Sequence, residues 1–165
     1  MSRFHDILVP VDFSETSDDA LSLAAELSRA YHATVHVLHV VPRVVPSLYA
    51  MNEVGFDFSA YVREAMESAR LQLPALAARH QIDPAMLTTV VLHGGPADEI
   101  VRYAEAHAID LIALGAHGHG FLDRLLIGSV AERVTRRAPC AILMVPHVVR
   151  RLTPFDAEAA AGARS

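Results

Sequence analysis

The sequence predicts an α/β protein built on one open, parallel sheet with helices on both faces. Three observations lead there. Short apolar runs alternate along the chain with longer stretches of helical period, an order that reads β-α-β-α-β-α-β-α-β. The first of these runs is apolar at nearly every position, as in strands covered on both faces rather than one. The chain has 165 residues, 52% of them hydrophobic and 20% charged, which fits one domain with a full core.

The elements follow in order. Residues 4–11 form the first strand, with Pro10 near its end, where a missing N–H breaks no essential ladder bond. Residues 12–17 are rich in helix-starting side chains, and Glu15, Asp18 and Asp19 suit the positive end of a helix dipole. Ala20, Leu21, Ala24, Leu27 and Tyr31 recur at helical spacing and predict the face that packs on the sheet. Residues 34–41, rich in β-branched side chains, are the second strand. Residues 42–58 are irregular; their apolar side chains, such as Leu48, Tyr49 and Phe56, read as a loop folded over one end of a ligand cleft, the alternative being a flap for a partner or lipid. A helix over 59–80 follows, kinked or split at Pro74. Residues 87–92 are the third strand, 93–96 a turn, and Pro96 the first residue of a helix that buries Ala97, Ile100, Val101 and Ala104. Residues 111–114 are the fourth strand. A polar, glycine-rich loop leads to a helix over 129–137, which Pro139 stops, and 141–145 are the fifth strand. Right-handed crossovers join such strands. Residues 1–146 form the domain, without internal repeat, and 147–165 a flexible tail.

Charge and composition narrow the function. A formal net charge of -5 disfavours nucleic acid as the main partner, yet leaves room for a small anion held by a local cradle of N–H groups. The lone cysteine, Cys140, forms no internal disulfide and reads as a small buried residue. No apolar stretch reaches the length of a membrane span, and the charged start does not resemble a signal peptide, so the expected location is the cytoplasm.

The chemistry concentrates in residues 115–130. Gly115 lies where the fourth strand ends; Gly118 and Gly120 let the backbone turn sharply and bring its N–H groups near a ligand. Gly128 and Ser129 open the next helix, whose first N–H groups have no intrahelical partner and whose dipole favours an anion. Ser129 adds a hydroxyl. Each glycine alone could serve turn geometry, and Ser129 could simply cap the helix. Clustered at one strand-to-helix connection, they describe a cradle for a polyphosphate. Histidines 93, 117 and 119 do not complete a metal-ligand spacing and read as exposed loop residues, so no metal site is expected from protein side chains. Asp123 and Arg124 read as solvated or inter-subunit charges, and no catalytic residue is assigned.

The pattern Gly115-x-x-Gly118, nine residues, Gly128-Ser129 resembles the ATP-binding signature of universal stress proteins. ILVPVDFS at 7–14, LHVV at 38–41, GPADEI at 95–100, DLI at 110–112 and APCAILMV at 138–145 are similar to segments of the same family, in order across residues 4–146. The resemblance implies a five-stranded sheet of order 3-2-1-4-5, the adenine nucleotide alpha hydrolase-like fold. It also implies ATP, or ADP or AMP, as ligand: Asp12 on the ribose, Pro10, Val11 and Val40 at the adenine, and Gly115, His117, Gly118, His119, Gly128, Ser129 and Val130 along the phosphates, with Mg²⁺ or Mn²⁺ held through those phosphates. For Asp12 the alternative is a cap on the following helix. The chain departs from the family at His119, where a basic residue is frequent, and at Ala141, where a proline is frequent. A nucleotide-dependent stress-response switch or sensor is then the expected function, working as a homodimer paired through the last strand and acting on a protein partner that the sequence does not identify. The alternatives are a slow ATP-hydrolysing enzyme and a dimeric stress protein that no longer uses nucleotide.

Overall fold

The structure, a computed structural model, describes residues 4–43, 57–116 and 128–146. Five parallel strands run in the order β3-β2-β1-β4-β5. They are β1 (Asp6–Pro10), β2 (Thr34–Pro42), β3 (Leu87–Gly94), β4 (Leu111–Gly115) and β5 (Ala141–Val145). Between them lie helices α1 (Glu15–Tyr31), α2 (Phe58–Arg79), α3 (Pro96–Ala106) and α4 (Ser129–Arg137). This is the fold class and strand order expected. The chain crosses from one edge of the sheet back to β4 beside β1, so strand order reverses between those two strands.

The unbroken apolar strands are explained by two cores. Along β1, Ile7 and Val9 point to one side and join Leu21 and Ala24 of α1 with Leu73 and Ala77 of α2. Leu8, between them, joins Leu38, Ile112 and Leu114 on the other side, against Ile100 and Ala104 of α3 and Val134 of α4. Alternate side chains of a strand leave by opposite faces, so a strand covered on both must be apolar throughout. Ile7, Leu8, Val9 and Ile112 are completely buried. Burying each such side chain contributes about 1.5–3 kcal/mol. At the strands' amino ends, the Asp110 carboxylate accepts the backbone N–H groups of His5 (2.7 Å) and Asp6 (3.1 Å), tying the start of β1 to that of β4.

Several local expectations are corrected. Helix α2 runs through Pro74 without a break. Its buried stripe is Ala69, Leu73, Leu76 and Ala77, while Pro74 is exposed, so water can serve the carbonyl that the ring leaves unpaired. Tyr31 is not on the buried face: it is 39% exposed and meets the edge of Phe4 at 5.5 Å. Cys140 is half-buried, and burial pushes its thiol pKa up, away from reactivity. His93 and Gly94 belong to β3 rather than to a turn, because the long β2 carries its ladder on to the pairs Val41 with His93 and Pro42 with Gly94. The cover assigned to residues 42–58 falls largely on 44–56, outside the described residues, as do the tail at 147–165, Gly120, Asp123 and Arg124.

Candidate functional site

The carboxyl ends of the parallel strands open on one side of the sheet, and among the described residues the reversal between β1 and β4 leaves a crevice there. It is a cleft of about 420 Å³. Pro10, Val11 and Asp12 reach it from the end of β1, and Val40 from β2. Gly115 ends β4 at its edge, and Gly128, Ser129 and Val130 form its far wall at the start of α4. Residues more than a hundred positions apart thus share one cavity. His117, Gly118 and His119 lie outside the described residues.

The wall at β1 is a closed polar knot. Phe13 turns the chain in a left-handed conformation (φ 64°), a costly state for an aromatic residue, and its ring packs on His39 with centroids 4.8 Å apart. Beyond the turn, Ser14 caps α1: its hydroxyl oxygen accepts from Ser17 N–H. Asp12 does not cap the helix. Its carboxylate accepts from the backbone N–H of Ser14 at 3.0 Å and from the Ser14 hydroxyl, bracing the residue that does. Asp12 stays exposed at the cleft, and a carboxylate has several acceptor positions for hydroxyl groups. His39 donates from Nδ1 to the Val11 carbonyl at 2.8 Å, because a carbonyl only accepts, and so fixes the end of β1 against β2.

The opposite wall is open in chemistry. Gly128 is the residue before α4 and offers no side chain to cap it; Ser129 is the first helical residue, not the cap. Gly128 N–H is held by Ala116 carbonyl at 2.8 Å, which fixes where the helix begins. The first turn therefore presents backbone donors and the positive end of the dipole to the cleft, with the Ser129 hydroxyl exposed beside them. Gly115 has a separate reason to be glycine. A Cβ there would come within 2.9 Å of the Thr16 backbone carbonyl, so β4 reaches the first turn of α1 only without a side chain. Behind the cleft, Asp98 of α3 bonds Arg137 of α4 and lies 3.4 Å from Arg133, and the Arg137 bond holds its carboxyl below the usual range.

The cavity also includes residues that the sequence reading did not single out: Ser17, His39 and Pro42, then Pro96 and Ile100 of α3, with Leu114 and Ala131. Pro96 and Ile100 stand four apart in the first turns of α3, so the turn after β3 contributes a wall; its position beyond a strand's carboxyl end was the available signal. Among the described residues, no group of three or more His, Cys, Asp or Glu side chains is placed to hold a metal ion. No helix of those residues is long and apolar enough to cross a membrane.

Fold and cleft define an open α/β protein with a crevice at its topological switch point. The sequence model described as the Universal stress protein family matches residues 3–146. Universal stress protein MJ0531 of Methanocaldococcus jannaschii is 34% identical over 140 residues, 84% of this chain and 80% of its own length. Among solved structures, universal stress protein UspA from Lactobacillus plantarum superposes with a TM-score of 0.70 at 29% identity, over 88% of this chain and 99% of that one. The chain belongs to the universal stress protein family. Two further structures share its fold at lower identity. One is a universal stress protein in complex with cAMP (TM-score 0.67, 20% identity, 89% of this chain and 100% of that one). The other is the universal stress protein from Archaeoglobus fulgidus in complex with dAMP (TM-score 0.56, 22% identity, 88% and 99%).

Proposed function

We propose that the cleft between β1 and β4 binds an adenine nucleotide, and that the protein acts in the cytoplasm as a nucleotide-dependent switch or sensor of the stress response. The observation that carries this reading is the convergence of an exposed carboxylate, Asp12, and the uncapped start of α4 on one cavity of about 420 Å³, a volume in the range of small-ligand sites. Asp12 accepts from the ribose hydroxyls; Pro10, Val11 and Val40 form the apolar seat of the base. Gly115, Gly128, Ser129 and Val130 take the phosphates, joined by His117, Gly118 and His119. A divalent ion, Mg²⁺ or Mn²⁺, is held through the phosphates, with the Ser129 hydroxyl in reach of that shell. The adenine monophosphates held by two proteins of the same fold support an adenine nucleotide as the ligand class. Mass spectrometry of small molecules released from the natively purified protein tests the reading. Adenine nucleotide near one per chain is expected; protein that carries none and takes up none on incubation with ATP would overturn it.

The partner surface belongs to the same proposal. Among the described residues, β5 pairs only with β4 and presents the apolar run Ala-Ile-Leu-Met-Val at the sheet's edge, where Ile142, Leu143 and Met144 are half-buried. Open apolar edges invite pairing, so a homodimer joined through β5 follows. Light scattering at micromolar concentration should give twice the chain mass, and a monomer would remove the dimer from the account.

A further inference from the structure

A second cavity, of about 620 Å³, lies on the α2 side of the sheet. Arg43, the residue after β2, and His93 of β3 line it from the sheet. Val91, two positions before His93, packs into the core beneath α2, which places His93 on the same face. Arg63 and Arg70 line it from α2, on the helix face that also carries Phe58, Val62 and Met66 into the cavity. Three guanidinium groups and an imidazole from three elements thus gather around an apolar floor, in a chain whose net charge is -5. Among the described residues, no carboxylate lines the cavity. Carboxylates stand beside two of the arginines: Asp57 accepts from Ser59 and Ala60 at the helix cap, and those bonds, then the nearby Arg63, lower its pKa; Glu67 pairs with Arg70 at 3.3 Å, with both side chains more than half exposed. Exposed ion pairs of this kind are weak, so an anion held from several sides at once can compete for these guanidinium groups. Guanidinium groups match carboxylate, sulfonate and phosphate geometry.

We propose that this cavity is a second ligand site, for a small organic anion with an apolar body: the acidic head on Arg43, Arg63 and Arg70, the body on Phe58, Val62 and Met66. It is separate from the nucleotide cleft. Pro42 lines that cleft and Arg43, the next residue, lines this one, so the two back onto each other across the end of β2.

The test uses the full chain and two probes with the same rings, 8-anilinonaphthalene-1-sulfonate and N-phenyl-1-naphthylamine, which lacks the sulfonate. Fluorescence titrations are run with and without excess ATP. The sulfonate should bind one per chain, with equal affinity in both conditions. Arg63→Gln/Arg70→Gln should weaken it by about tenfold or more, as expected for lost charge-assisted bonds, and Arg43→Gln should weaken it independently. The uncharged probe should change less than twofold. All three arginines are exposed, so the variants keep the fold, which circular dichroism checks. Sulfonate binding that ATP displaces, that the arginine variants leave intact, or that the uncharged probe equals would overturn the proposal. So would absence of binding, since the cavity would then be closed in the full chain. None of these outcomes bears on whether ATP occupies the first cleft.

Discussion

Helices α1 and α4 both begin at the rim of the cleft, and their first turns are built in opposite ways. At α1 the donors are spoken for: Ser14 caps Ser17, Asp12 braces Ser14, and the Ser17 hydroxyl returns to the Ser14 carbonyl at 2.9 Å. At α4 the cap is Gly128, which offers no side chain. One helix start is finished by its own cap residue; the other has no such cap, and the proposed ligand would complete it. A glycine cap forgoes roughly a few tenths of a kcal/mol relative to Ser or Asp, and an anion at the start of α4 would offset that.

Substitutions can break this contrast. The largest effect is expected at Gly128→Asp. The backbone there (φ -61°, ψ 148°) accepts any residue, and the new carboxylate caps α4. Stability should hold or rise by a few tenths of a kcal/mol, while nucleotide affinity falls more than tenfold, because the carboxylate takes the place of phosphate. Urea unfolding and nucleotide titration on the same preparation would show the opposed signs; a parallel loss of both would mean that the helix start serves stability only. Next is Gly115→Ala. Its Cβ meets the Thr16 backbone, so overpacking should cost about 1–3 kcal/mol in chemical denaturation and loosen the cleft with it. Ser14→Ala reverses the pattern of Gly128→Asp: it should cost about 1 kcal/mol of stability and leave nucleotide affinity within about twofold.

The smallest effect concerns the clamp behind the cleft. Asp98 is exposed, and its bond to Arg137 lowers its pKa from the ordinary 3.8. A carboxyl whose pKa is lower in the folded state stabilises fully above its unfolded value and loses that contribution as pH falls through the folded one. The difference between wild type and Asp98→Asn should therefore be small and constant at neutral pH and fade below about 3.8. Thermal melts from pH 7 to 2 check this; a difference that grows in acid would contradict it.

The strands and helices were legible because their pattern is dictated by burial: strands covered on both faces are mostly apolar, and the buried His36 of β2 is kept there with Tyr103 and Asp6 as partners. Boundaries were less so. His93 and Gly94 read as a turn because they are polar and small, and only pairing with β2 draws them into β3. Pro74 read as a kink or split because an interior proline removes a helix bond; the helix continues with Pro74 on its exposed side. In the site, the glycine spacing and Asp12 were visible as chemistry. Ser14 was not separable from Asp12 as the cap, since both are good capping residues two positions apart. The structural constraint on Gly115 was hidden too, because it arises from Thr16, ninety-nine residues away in sequence and in contact only through the fold.

The central claim is that the cleft is an adenine-nucleotide site completed at the start of α4. Titrating a fluorescent ATP analogue into the folded protein tests it most directly. Saturable binding at one site per chain is expected, competed by unlabelled ATP and lost in Gly128→Asp at undiminished stability. A signal that does not saturate, or one that Gly128→Asp leaves unchanged, would contradict it.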